Sequence, residues 1–245
     1  MKMHKVSVII PSIPGREHLL TRAIHSIDSQ RYLNIEKIII KDKNLTPSEA
    51  RNKGIAKANG DFIAFLDDDD EWEKDKLYKQ MWLMDLYPNC PLVTCYSKDM
   101  RYDVINKPKE EVTKQQILNA FNYSSTSAYL CRAYPLKLIN GFDSSLQSCQ
   151  EYEMAIRLLF NKKARCVPEV LVKQHKTEGQ ISTNWKKKRI GIKQVYKKHK
   201  KEFLKASKYN FFKYRAIYLG YLFAPILGNK INDYIVYMKR RHEEE

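Results

Sequence analysis

The sequence predicts an α/β fold: a mostly parallel sheet flanked by helices, followed by a basic helical extension at the C-terminus. Three observations carry that expectation. Apolar strand-like runs alternate with amphipathic helical stretches over residues 6–66, the signature of right-handed βαβ units. The chain's 245 residues, 43% of them apolar, are enough to bury one sizeable core. The formal net charge of +16 is unevenly spread, because residues 183–245 hold 17 Lys/Arg against 5 Asp/Glu.

Each element follows from local pattern. Residues 6–10 form a continuous β-branched run ended by Pro11, as in a strand buried on both faces. In 16–30, Leu20, Ile24 and Ile27 recur at i, i+4 and i+7, one face of a helix. A second apolar run covers 36–40. Thr46-Pro47-Ser48-Glu49 then opens a helix with proline at its first position, ending near Asn59-Gly60. Residues 61–66 give the third strand, after which four aspartates break the apolar pattern. Further strands are expected at 92–96, 127–132 and 167–173, and a helix over 151–161. Beyond 186 the pattern is helical, with Ile192, Tyr196, His199 and Phe203 on one stripe, followed by helical stretches over 209–227 and 231–241. No internal repeat or low-complexity segment is visible.

Composition excludes several classes. The five cysteines, Cys90, Cys95, Cys131, Cys149 and Cys166, form no CxxC pair or zinc spacing and read as reduced, mostly buried thiols. The apolar run before Pro11 is too short for a secretory signal. The stretch 216–227 is interrupted by Gly220 and Pro225 and falls short of the ~20 residues that span a bilayer. A cytoplasmic protein with no transmembrane helix is expected.

In such sheets ligands gather at the carboxyl ends of the strands, which brings 11–16, 42–44 and 67–70 together. Four consecutive aspartates, Asp67 to Asp70, repel one another unless something positive sits among them. Either they cap the following helix as a solvated loop, or they hold a hard divalent cation, Mn²⁺ or Mg²⁺.

Three blocks sharpen this choice. ARNKGIAKANGDFIAFLDDDDEWEKDKLYKQ (50–80), VSVIIPSIPGR (6–16) and GFDSSLQSCQEYEMAIRL (141–158) resemble, in the right order, the blocks of family 2 glycosyltransferases. The resemblance covers about residues 5–182. It implies a GT-A (Rossmann-like) fold, an inverting mechanism, a nucleotide-diphosphate sugar donor such as a UDP-sugar, and a metal. Carried over, Pro11, Ser12 and Ile13 would line the nucleotide base, with Arg16 in the same donor site. Asp42 would bond the base or ribose, Arg51 the base or diphosphate, and Asp68 the ribose. Asp69 would bind the metal, with Asp67 at the other end of the DxD motif and His175, in HKTEGQIS, completing the site. The (E/Q)D(Y/W) base is matched by Glu151, one methylene longer than the usual aspartate; as a plain helix-start residue it would serve only the helix dipole. Its acceptor would be a hydroxyl of a glycan or lipid-linked glycan. Trp72, two residues after the acidic run, reads as packing in preference to a platform on which an acceptor stacks. The hydroxyl-rich run 123–127 reads either as acceptor contact or as a turn. A second departure is IKDKN where the family has VDDGS, so Lys41 replaces an aspartate.

The chain thus divides into a catalytic domain, 1–182, and a basic extension, 183–245. Between Lys186 and Arg215, 13 Lys/Arg face a single acid, Glu202, and are interleaved with aromatics. That combination suits a peripheral helix pair on the anionic cytoplasmic face of a membrane. Alternatively, the aromatics pack against the catalytic part or a second copy in a homo-oligomer. Two other functions compete. A nucleotidyltransferase needs a Gly-rich phosphate loop, and PSIPGR has one glycine. A non-catalytic nucleic-acid module fits the charge, yet no known binding signature accompanies it, so no nucleic-acid partner is expected.

Overall fold

The structure, a computed structural model, describes residues 3–175 and 184–227, with side chains as far as residue 220. The predicted βαβαβ start is present as β1 (Val6–Ser12), α1 (Glu17–Asp28), β2 (Ile35–Lys41), α2 (Pro47–Lys57) and β3 (Phe62–Phe65). Then follow β4 (Asp70–Trp72), α3 (Lys76–Leu86), β5 (Leu92–Asp99), β6 (Val104–Asn106), β7 (Glu111–Thr113) and α4 (Lys114–Ala120). A 3₁₀ turn, Thr126–Ala128, leads into β8 (Leu130–Arg132), α5 (Ala133–Leu138), α6 (Gln150–Leu158) and β9 (Lys163–Gln174). The extension supplies α7 (Trp185–Lys198), α8 (Lys200–Ala206) and α9 (Asn210–Leu227).

The sheet runs β2-β1-β3-β8-β5-β9-β4, with β6 on β5 and β7 on β9. Along that path β2, β1, β3, β5 and β9 point one way, and β8 and β4 run against them. Alternation along β1 explains its continuous apolar run. Val6, Val8 and Ile10 pack on one face with Leu20 and Ile27 of α1 and Leu77 and Met81 of α3. Ile9 faces the other way, toward Ile38, Phe65 and Ile55 of α2. Helix α2 lies so close to β1 that a Cβ on Gly54 would fall 2.4 Å from Ile9 Cγ2, which leaves room only for glycine. Its start is the expected capping box: the Thr46 hydroxyl accepts the Glu49 N–H, and the Glu49 carboxylate accepts the Thr46 N–H.

Two segments differ from expectation for a common reason. Residues 70–72, where the acidic run breaks the apolar pattern, form a strand because β9 offers an antiparallel edge, pairing Asp70 with Gln174 and Trp72 with Val172. Residues 127–132, expected to be one strand, begin as the 3₁₀ turn, because Ser127 turns inward to serve the aspartates. Both are tertiary effects that override local pattern.

The extension begins inside the core. Ile192, Val195, Tyr196 and Phe203 are buried in the same cluster as Ile9, Phe65, Tyr152 and Ile156. The residue-182 boundary separates two regimes of charge, while the helices on either side share one apolar interior. Tyr214 of α9 stacks on Tyr196, with ring centroids 4.0 Å apart and planes 3° from parallel. Tyr209 (67%), Phe211 (42%) and Phe212 (68%) remain exposed. The expected helix at 231–241 lies outside the described residues, as does the segment following His175. All five cysteines are free thiols, Cys149 half-buried and the rest buried.

Candidate active site

Asp67 to Asp70 run from the turn after β3 into the first residue of β4, and every one of them is partnered. Asp67 bonds the Arg51 guanidinium at 2.5 Å. Asp68 accepts the Ser12 hydroxyl at 2.7 Å and lies 3.1 Å from Arg16 Nη2, which is 2.7 Å from Asp69 as well. Arg22 donates to the backbone carbonyl of Asp69 at 2.6 Å. Asp70 points inward and accepts the Ser127 hydroxyl at 2.6 Å. The same hydroxyl oxygen receives the Asp67 N–H at 3.1 Å. Two arginines therefore supply the positive charge that the aspartate run demands.

The compensation is incomplete. Burial, and then the charges of Asp67 and Asp69, push the Asp70 carboxyl well above its ordinary range despite the Ser127 bond. Burial also raises Asp68, against the pull of Ser12 and Arg16. Glu151, in the first turn of α6, is raised chiefly by desolvation, with Asp67 adding to the rise and Arg51 and Lys188 opposing it. No side chain among the described residues bonds its carboxylate. A carboxylate desolvated in this way and held by no other side chain can accept a proton.

The other expected residues fall around this centre. Asp42, just past β2, extends the ladder through its N–H to the Ser12 carbonyl at 3.2 Å, and its carboxylate accepts the Asn44 N–H at 3.0 Å. Pro11 is half-buried, and Ile13 is 42% exposed at the rim. Lys41 is occupied by Glu17 at 2.5 Å. Trp72 is packing: it is buried, donates to the Ser127 carbonyl at 2.8 Å, and carries the Lys76 ammonium 3.9 Å from its ring centroid. Ser127 and Arg22 were not anticipated. The only signal was the hydroxyl run 123–127, whose last member turns toward the aspartates.

A divalent cation fits this donor set in kind. Asp67 and Asp69 offer hard carboxylate oxygens, and one oxygen of Asp67 bonds no protein group among the described residues. The trio Asp67, Asp69 and His175 is not assembled, since among the described residues no three such side chains converge on one point. His175 Nε2 instead lies 3.4 Å from Glu71, whose side chain alternates to the opposite face of β4 from Asp70. Two carboxylates plus phosphate oxygens from a ligand are a common arrangement for Mg²⁺.

Residues 37–135 match the family described as Glycosyl transferase family 2. The matched stretch takes in Asp42, Arg51 and the acidic turn, and ends before Glu151. The chain is 34% identical over 113 residues to the amylovoran biosynthesis glycosyltransferase AmsB of Erwinia amylovora, covering 35% of this chain and 37% of that one. The chain spans less than half the length of the curated relatives with which it shares a third or more of its aligned residues. Among solved structures it resembles the mannosyltransferase PcManGT from Pyrobaculum calidifontis in complex with GDP-Man and Mn²⁺, with a TM-score of 0.66 at 12% identity over 89% of this chain and 73% of that one. It also resembles S. aureus TarS in complex with UDP-GlcNAc, with a TM-score of 0.64 at 18% identity over 78% and 66%. The fold of the chain is GT-A.

Proposed function

We propose that the chain is a metal-dependent inverting glycosyltransferase. It moves a sugar from a nucleotide-diphosphate donor, such as a UDP-sugar, to a hydroxyl of a glycan or lipid-linked acceptor. The observation that carries this reading is the placement of Arg51, which bonds Asp67 of the acidic turn and bears electrostatically on Glu151. One guanidinium thus bonds a donor-side carboxylate and exerts its charge on the acceptor-side one.

In this reading Glu151 takes the proton from the acceptor hydroxyl as its oxygen attacks the anomeric carbon from the face opposite the diphosphate. Its raised proton affinity suits it to hold that proton. Pro11, Ser12, Ile13 and Asp42 border the base, Asp68 the ribose, and Arg16 and Arg51 the diphosphate. Mg²⁺ or Mn²⁺ held by Asp67 and Asp69 would neutralise charge growing on the leaving diphosphate. Because the arginines already bond aspartates, donor binding exchanges one set of anionic partners for another. The exposed aromatics Phe211 and Phe212, with neighbouring lysines, would seat residues 183–245 on an anionic membrane surface. No helix among the described residues is long and apolar enough to cross a membrane.

The test is sugar transfer, or donor hydrolysis, across a panel of nucleotide sugars with and without EDTA. EDTA should abolish turnover, and Asp69→Ala and Glu151→Gln should each lower kcat by about 10²–10⁴-fold. Full activity in both variants would sink the site assignment.

A further inference from the structure

The loop that delivers Glu151 is held from outside by α7. Gln194 brackets it: its side-chain oxygen accepts the Gln147 N–H at 3.1 Å, and its amide nitrogen donates to the Ser145 carbonyl at 3.0 Å. One turn earlier, Gly191 lies directly against Ser148, where a Cβ would fall 2.6 Å from the carbonyl oxygen and 2.8 Å from the serine Cβ. One turn later, Lys198 reaches Asp143 at 2.5 Å and Glu153 at 2.8 Å. Over 145–148 Gln194 is the only side chain from beyond the loop and α6 that hydrogen-bonds it among the described residues.

The loop needs such a hold. It ends at Cys149, a non-glycine residue in the left-handed region at φ 63°, and no side chain caps the helix start that follows. That conformation is sparsely populated and persists only where its surroundings over-determine it. Glu151 lies two residues further on, so any relaxation of 145–149 moves its carboxylate. Displacements near 1 Å are enough to cost a positioned group much of its effect.

We propose that Gln194 and Gly191 are positioning residues for Glu151. Helix α7 of the basic extension sets the loop and, through it, the place of the proton acceptor. The inference rests on Glu151 acting as the base. It gives the extension a part in turnover separate from any surface it docks on.

The experiment measures kcat, donor KM and nucleoside-diphosphate binding by calorimetry on the full chain, for Gln194→Met, Gly191→Ala and Glu151→Gln. Gln194→Met keeps the volume and removes both hydrogen bonds, so it remains informative where the tighter Gly191→Ala does not fold. The expected result is a fall in kcat of about tenfold, with donor KM and nucleotide affinity within about twofold of the parent, because the donor site is built on β1, α2 and the acidic turn. Parental kcat in Gln194→Met beside an inactive Glu151→Gln overturns the inference and leaves the base standing. A fall in nucleotide affinity that matches the fall in kcat also overturns it, since that is what general loosening produces. Full activity in Glu151→Gln removes the base itself and is read separately from both.

Discussion

At the scale of single residues, the four aspartates show how position divides identical chemistry. Asp67 faces Arg51, Asp68 is shared by Ser12 and Arg16, Asp69 meets Arg16, and Asp70 is turned inward to Ser127. Glu151 yields a pH prediction. Its carboxyl is raised, mainly by desolvation, and only the ionised form accepts a proton. Activity should therefore climb as pH rises through a value above the ordinary carboxylate value of about 4.3. The measurement is the acid limb of kcat/KM, and a limb at or below that value contradicts the assignment. The neighbourhood shared by Arg51, the aspartates and Glu151 was legible because each sits in a short local motif. Ser127 was not, because what defines its job is Asp70, remote in sequence and brought close only by the sheet. The contact of His175 with Glu71 was hidden for the same kind of reason: Glu71 belongs to a strand that local pattern did not reveal.

At the scale of elements, α6, α7 and α8 are joined by one buried carboxylate. Glu153 has a fully buried side chain and receives Arg157 at 2.8 Å, Lys198 at 2.8 Å and His199 at 3.0 Å. Burial pushes its pKa up, but the bonds from His199, Arg157 and Lys198 outweigh burial and hold it at about 2. A depressed carboxylate stabilises the fold above its unfolded value of 4.5 and loses that contribution as pH falls toward 2. At neutral pH the contribution is of order 3 kcal/mol. The urea midpoint followed by circular dichroism should be steady at neutral pH and fall steeply below pH 4.5; a flat profile down to pH 3 contradicts the network. Glu153→Ala, which leaves the partly exposed Arg157 and Lys198 without their shared acceptor, should cost about 3 kcal/mol at pH 7 in the same assay. The α6 and α7 stripes could be read from periodicity. Helix α3 could have been too, since Leu77, Met81 and Met84 recur at i, i+4 and i+7 and are all buried. The short strands β6 and β7 could not, because three residues carry no periodicity and only pairing with β5 and β9 defines them.

At the scale of the whole molecule, the net charge of +16 has two uses. Some of it is structural, as with Lys198 and Lys114, which bind Glu153 and Glu202 and fasten the extension to the body. The remainder stays exposed beside Tyr209, Phe211 and Phe212. The full chain should co-sediment with vesicles containing anionic phosphatidylglycerol at low salt, and be released at ionic strengths that shorten the screening length to about 3 Å. Phe211→Ser with Phe212→Ser should weaken the attachment. Equal recovery in the supernatant with anionic and neutral vesicles excludes this docking. Sequence pattern located the charge and the aromatics and set Tyr196 and Phe203 on one stripe, but not what covers that stripe, because the core it joins is built from residues remote in the chain such as Ile9, Phe65 and Tyr152. The pairing of β4 with β9 sets a timetable for biosynthesis. The acidic turn is closed on one side by β3 and on the other by a strand roughly one hundred residues later. At about 5–20 residues per second, a ribosome finishes the β1–β3 half several seconds before the segment that pins Asp70 emerges. During that interval Ser12, Arg16 and Arg51, already synthesised, are at hand for Asp67 to Asp69, while Asp70 waits for Ser127 and for the β9 edge.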